Sequence, residues 1–200
     1  MIATGRIDET VSTLLINENK KYKFFSVPID KNASENLIGK ISKNVSFSDS
    51  LLENNQLNRF IKSTCSQFIS QSFDLPLDSV NKDYQFNISE AWFNYQYAGD
   101  FQPLHIHPTC DLVCVIYLET NEHILYEHTL SEINNSRPGG VTTFLSLGAP
   151  KNNYIIDNTM YKYNGMPGEY VIFPADLPHM VYPFESPGCR ITASLNIKFR

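Results

Sequence analysis

Residues Arg190 to Lys198 (RITASLNIK) alternate strictly in polarity. Arg190, Thr192, Ser194 and Asn196 share one parity, and Ile191, Ala193, Leu195 and Ile197 share the other. Successive side chains of a β-strand point to opposite faces, so this pattern reads as a strand with one apolar and one polar face. The apolar face must be covered by another layer, and helices upstream can supply it. The polar face carries an arginine, whose planar guanidinium can grip a carboxylate with two parallel hydrogen bonds. The polar face of an arbitrary strand would meet bulk solvent; here Arg190 follows His179 by only eleven residues, close enough for a short return connection, so the face is read as bounding a polar, ligand-holding cavity.

Much of the chain has the same short-strand character. Strands are predicted over Phe86 and Ile88 into Glu90–Tyr97, Leu104–His107, Leu112–Glu119, His123–Glu127, Val141–Ser146, Glu169–Phe173 and Met180–Pro183. Turns are expected at Gly99-Asp100, Pro108-Thr109 and Pro138-Gly139-Gly140. Ahead of them stand a short strand at Phe24–Ile29, a helix over Ser34–Lys43 and a longer helix over Asn55–Phe73. Leu57, Phe60, Ile61, Phe68 and Ile69 fall on one stripe of that longer helix, Cys65 is a small core residue beside it, and Pro76 follows its end. The segment Gly148–Pro167 is polar and irregular. The pattern predicts a mainly β fold, an antiparallel two-sheet sandwich or barrel with N-terminal helical support. No linker divides the 200 residues, so one domain is expected, with 1–83 as helical support and 84–200 as the β core.

A formal charge of −5 with no basic face argues against nucleic acid as a partner. The run Lys20–Lys23 reads as a solvated segment. The N-terminus lacks a signal-peptide pattern, and the longest apolar run, Leu112–Leu118, is too short to span a bilayer. A soluble, cytoplasmic protein is expected, with its four cysteines reduced.

Of five histidines, His105 and His107 are separated by one residue. In an extended segment such a pair points to the same side, roughly 6–7 Å apart along the strand, so two imidazoles can converge on one metal. His179 lies downstream, before a Pro-rich corner and shortly before Arg190. A lone histidine is most often structural. The pair, the distant third histidine and the arginine on a polar strand face together favour a site for iron, zinc or nickel. His123 and His128 lack this context. Cys110 and Cys114 lie about 13 Å apart if the chain between them is extended, too far to share a metal. Asp111 is a reserve carboxylate ligand if the chain turns tightly after Pro108.

The segments WFNYQYAGDFQPLHIHP (92–108), DLVCVIYL (111–118), GEYVIFPADLPHMVYP (168–183) and CRITASLN (189–196) resemble the iron(II)- and 2-oxoglutarate-dependent oxygenases. They are most similar to the prolyl-hydroxylase-like group and its relatives in phage and bacterial genomes. The resemblance runs from Trp92 to the C-terminus. It implies a double-stranded β-helix, Fe(II), 2-oxoglutarate and O2, with ascorbate as an optional reductant. It further implies hydroxylation of an unactivated C–H bond, of a prolyl or another amino-acid side chain, in a peptide, protein or small molecule. For a phage-encoded chain the host cytoplasm would be the compartment.

Position by position, the resemblance makes His105 the first iron ligand and His179 the distal one. Arg190 would grip the far carboxylate of 2-oxoglutarate, and Tyr117 would hydrogen-bond it. Tyr95 would be a second tyrosine lining the cosubstrate pocket, and Ser194 a hydroxyl further along the Arg190 face. Val113, Val115 and Tyr117 would face the cavity, with Cys114 and Ile116 outside. The family pattern is His-x-Asp, and this chain has His107 at the aspartate position. Either three neutral imidazoles hold the metal, leaving it one unit more positive, or water or Asp111 takes the third place. Two alternatives stand beside this reading: a cupin-like three-histidine metalloenzyme without 2-oxoglutarate, and a non-catalytic jelly-roll binding module. Gly148–Pro167, with Tyr154, Tyr161 and Tyr163, is the expected substrate lid.

Overall fold

A computed structural model describes residues 1–23, 39–133, 139–145 and 160–200. In chain order its elements are β1 (Ala3–Arg6), α1 (Glu9–Lys23), β2 (Lys43–Ser46), α2 (Asp49–Leu52), α3 (Asn55–Phe73), α4 (Leu77–Asp83), β3 (Phe86–Tyr97) and β4 (Gln102–His105). They continue with β5 (Leu112–Glu119), α5 (Glu122–Ile133), β6 (Thr142–Leu145), β7 (Met160–Tyr163), β8 (Glu169–Pro174), β9 (His179–Val181) and β10 (Cys189–Phe199). Two antiparallel sheets face each other. The larger runs β1-β8-β5-β10-β3-β2 and the smaller runs β4-β9-β6-β7.

The alternation in β10 sets the layering. Ile191, Ala193, Leu195 and Ile197 are fully buried in a core shared with Val11 and Leu15 of α1 and Leu57, Ile61, Cys65 and Phe68 of α3. Each valine, leucine or isoleucine side chain buried in this way contributes about 1.5–3 kcal/mol. A second core of Val113, Tyr117, Phe144, Val171, Phe173 and Ala175 fills one end of the space between the sheets. The polar parity of β10 faces that space. Because β10 pairs with β3 and β5 on its two sides, it places Arg190 opposite Gln96, and Thr192 opposite both Asn94 and Tyr117.

The expected helix over Asn55–Phe73 is present with those bounds. The Asn54 side chain caps it by accepting from the backbone N–H groups of Gln56 and Leu57. Asp74, at φ 53°, turns the chain out of the helix before Pro76. The basic run Lys20–Lys23 is the last turn of α1, where cations complement the helix dipole and Lys23 also reaches Glu119 at 2.7 Å.

Three expectations are corrected. His123–Glu127 is helical, within α5, with the Asn121 side chain accepting from the His123 N–H at 2.8 Å. A short apolar run such as Ile124–Tyr126 fits either period, and the capping asparagine decides it. Residues 39–43 are not helical. Gly39 takes φ 113°, Lys40 bridges to Phe101, and a Cβ on Gly39 would meet the Phe101 carbonyl at 2.5 Å. The segment expected to be an irregular lid contains β7, whose residues pair with β6, and Tyr163 donates to Glu169. The strand expected at Phe24–Ile29, residues 34–38 of the expected helix, Ser146 and the lid residues 148–159 with Tyr154 lie outside the described residues. Among the described residues no helix is long and apolar enough to cross a membrane.

Candidate metal centre

Strands β4 and β9 pair so that His105 stands directly opposite His179. Past β4 the chain bends, and the His107 N–H donates to the Ala175 carbonyl at 2.8 Å, turning that imidazole back toward the pair. The three rings converge. Their candidate ligand atoms all lie within 4.8 Å of one another, and His107 Nε2 is 3.4 Å from His179 Nε2. A carbonyl only accepts, so His105 carries its proton on Nδ1, given to Pro103 O at 2.7 Å. His179 likewise gives Nδ1–H to Leu177 O at 2.9 Å. Both Nε2 lone pairs are thereby left for a metal, the tautomer that such backbone partners normally select.

Burial holds all three imidazoles neutral. It is the main cause of the low pKa of His179, about 3, with His105 and His107 adding to it. Burial and then His105 push His107 down to about 4, against an upward pull from Asn196. His105 is lowered by burial as well. His179 packs among Phe144 and Phe173, and His107 stacks on Trp92. Three neutral nitrogen donors in a part-apolar setting suit a divalent transition metal. Among the described residues no carboxylate belongs to the cluster. Asp111, the reserve ligand, instead accepts from the Phe199 N–H at 2.9 Å and is tied to the end of β10. Cys110 Sγ lies at the His107 carbonyl, and Cys114 is buried on the helix side, so neither thiol joins the histidines.

One cavity joins this cluster to Arg190. Arg190 is 3% exposed, and its Nη2 donates to Gln96 Oε1. Its Nε and Nη1 have no partner, and it forms no ion pair among the described residues. Burial lowers its pKa, yet a guanidinium stays charged at neutral pH. A buried cation with two vacant donors is costly unless an anion completes it. Tyr117 lies beside it, 5.9 Å from ring centre to guanidinium carbon, with its hydroxyl 3.0 Å from Thr142 Oγ1. Val113 and Val115 face the same space, while Cys114 and Ile116 pack on the helix side.

Ser194 faces the cavity. The Asn94 amide donates to its hydroxyl at 2.9 Å and to the Thr192 hydroxyl at 3.2 Å, and Asn94 Oδ1 accepts from the Trp92 indole at 2.9 Å. Tyr95 does not line the pocket. It has the opposite parity on β3, and its hydroxyl bonds Asn19 of α1 in the helix-side core. The polar wall of β3 is Asn94 and Gln96, neither of which was among the expected site residues. The signal was available: within the run Trp92–Tyr97 those two polar residues share one parity.

Two facing antiparallel sheets with three convergent imidazoles and a buried arginine between them define a jelly-roll metalloenzyme of the double-stranded β-helix class. Residues 90–196 match the family model described as "Putative 2OG-Fe(II) oxygenase", and the chain belongs to that family of dioxygenases. Family membership implies Fe(II) and 2-oxoglutarate, and the imidazole cluster and the unpaired arginine fit them. No curated protein matches the chain.

Solved structures share the fold. A Pseudomonas putida prolyl-4-hydroxylase aligns with TM-score 0.56 at 13% identity over 98% of this chain and 91% of its own. A viral collagen prolyl hydroxylase from Paramecium bursaria Chlorella virus-1, in a 2-oxoglutarate complex, gives 0.53 at 14% over 98% and 94%. A 2OG-Fe(II) oxygenase family oxidoreductase from Burkholderia pseudomallei gives 0.57 at 11% over 98% and 84%.

Proposed function

We propose that the chain hydroxylates an unactivated C–H bond, with His105, His107 and His179 holding Fe(II) and Arg190 holding the far carboxylate of 2-oxoglutarate. The observation that carries this is the Arg190 guanidinium, buried with Nε and Nη1 unpartnered in the cavity that also contains the imidazoles. An anionic cosubstrate would satisfy those donors. The cupin-like alternative would need a different anion to complete the same donors.

Iron with 2-oxoglutarate and O2 supplies an oxidant while the oxo acid is converted to succinate and CO2. The protein's own part is orientation and exclusion of water. Arg190 and the Tyr117 hydroxyl would clamp one end of the cosubstrate, and the Thr192 and Ser194 hydroxyls, whose oxygens accept from Asn94, keep their own protons free to donate along its length. Val113, Val115 and Trp92 limit water around the reacting end. Neutral imidazoles at ordinary pH leave three nitrogen lone pairs available without displacing a proton.

A prolyl or similar amino-acid side chain is the proposed primary substrate, supported by the likeness to structures named as prolyl hydroxylases. The test incubates iron-loaded protein with 2-oxoglutarate, O2 and ascorbate, alone and with proline-containing peptides or free amino acids. Succinate release stimulated by one of these, with a product heavier by one oxygen atom, is expected. Succinate no higher than in the iron-free control overturns the reaction type. Stimulation only by substrates without an amino-acid side chain overturns the substrate class.

A further inference from the structure

His107 differs from its two neighbours in what holds its ring. His105 and His179 each give Nδ1–H to a backbone carbonyl. Among the described residues the His107 ring has no such carbonyl, and Asn196 is close enough to pull its pKa upward against burial. Asn196 is on the cavity parity of β10, one step beyond Ser194, and is 3% exposed. Its Nδ2 donates to Glu90 Oε2 at 3.0 Å, while its Oδ1 is buried without a hydrogen-bond partner. Asn196 and Glu90 face each other directly across β10 and β3, so register rather than a long flexible reach sets their contact.

The carboxylate decides which way the amide points. An ionised carboxylate accepts only, so Glu90 must meet the NH2 end of Asn196, and the oxygen end is left for the interior. We propose that Asn196 is the positioning residue of His107: its Oδ1 takes the imidazole Nδ1–H, directing Nε2 at the metal, and Glu90 locks the amide in that orientation. A chain of carboxylate, amide and imidazole results, running from the surface to the centre. It gives His107 an oxygen acceptor like those of His105 and His179. It also restores, at one remove, some of the negative charge lost where His107 replaces an aspartate ligand. Outer partners of metal-bound histidines orient the ring and raise its basicity, and their loss typically weakens metal binding on the order of 10–100-fold.

The inference rests on the three histidines being metal ligands, and the test separates the two claims. Full-length protein is loaded with Co(II), its affinity is measured by competition with a chelating dye, and the exchangeable imidazole N–H resonances are followed by paramagnetic proton NMR. Wild type is expected to show three such resonances. Asn196→Leu should lose the His107 resonance and weaken Co(II) binding at least about tenfold. Asn196→Asp, which restores an acceptor, should recover most of that affinity. Should Asn196→Leu fail to fold, Glu90→Gln decides, since it alters only an exposed carboxylate. A shifted His107 resonance with affinity lowered a few-fold is then expected. Wild-type affinity with all three resonances unmoved in both Asn196→Leu and Glu90→Gln overturns the positioning role while leaving the metal centre standing. No Co(II) uptake by wild type overturns both.

Discussion

Gln96 is the side-chain hydrogen-bond partner of Arg190 among the described residues, and it is neutral. Its Nδ-bearing neighbour on the same strand, Asn94, is neutral too, so the polar wall of β3 presents no counter-ion to the buried guanidinium. Gln96 is itself fixed, giving its Nε2 hydrogens to the carbonyls of Asp100 at 2.7 Å and Tyr182 at 3.2 Å. The arrangement holds Arg190 in place without neutralising it, which is what a binding site for an anion requires.

Gln96→Glu would supply the missing counter-ion internally. The expected result is a KM for 2-oxoglutarate raised on the order of tenfold or more, with metal uptake unchanged, because a buried charge pair competes with the cosubstrate for the same donors. Steady-state succinate assays beside a metal titration check it. An unchanged KM would show that Arg190 does not hold the cosubstrate.

The two tyrosines should separate cleanly. Tyr95→Phe removes a hydrogen bond to Asn19 in the helix-side core and is expected to cost about 1 kcal/mol of stability, with the cosubstrate KM unaltered. Tyr117→Phe removes the hydroxyl between Thr142 and the Arg190 end of the cavity, and should raise that KM. Urea unfolding and kinetics on the same two variants distinguish the outcomes. A KM shift in Tyr95→Phe would contradict its placement outside the pocket.

Stability without metal should depend on pH. His107 and His179 have folded-state pKa values near 4 and 3, below the 6.5 of a free histidine. Between those limits the unfolded chain binds more protons than the folded one, so stability rises with pH across the window. The metal-free protein should therefore have a lower urea midpoint at about pH 5 than near neutral pH, and saturating metal should raise both midpoints without removing the difference. Equal midpoints for the metal-free protein at both pH values would contradict the buried, uncharged imidazole cluster.

What was legible in the sequence followed from regular periodicity. The two-residue alternation of Arg190–Ile197 announced β10 and its sidedness, and the stripe from Leu57 to Ile69 announced α3. His105 and His179 meet across paired strands, as a return strand suggested, but His107, expected on the same strand as His105, lies past the end of β4 and is turned in by its N–H bond to the Ala175 carbonyl. Tyr95 has the residue type that the resemblance assigns to the pocket, but its parity on β3 sends it to the helix side, and Asn94 and Gln96 share the cavity face. The helix α5 was hidden because Ile124–Tyr126 is too short to show a period, and its cap, Asn121, is a side-chain contact. Asn196 and Glu90 could be placed on a strand face but not paired, since their contact depends on the register between β10 and β3, which lies in no local pattern.

The central claim is that one cavity holds iron on three histidines and 2-oxoglutarate on Arg190. The most direct measurement is an anaerobic titration of metal-free protein with Fe(II) and then 2-oxoglutarate, following the visible metal-to-ligand charge-transfer absorption. The account predicts that the band develops to saturation with wild type and is lost in Arg190→Ala, which still takes up iron. Iron binding with no band at saturating 2-oxoglutarate, or an undiminished band in Arg190→Ala, would contradict it.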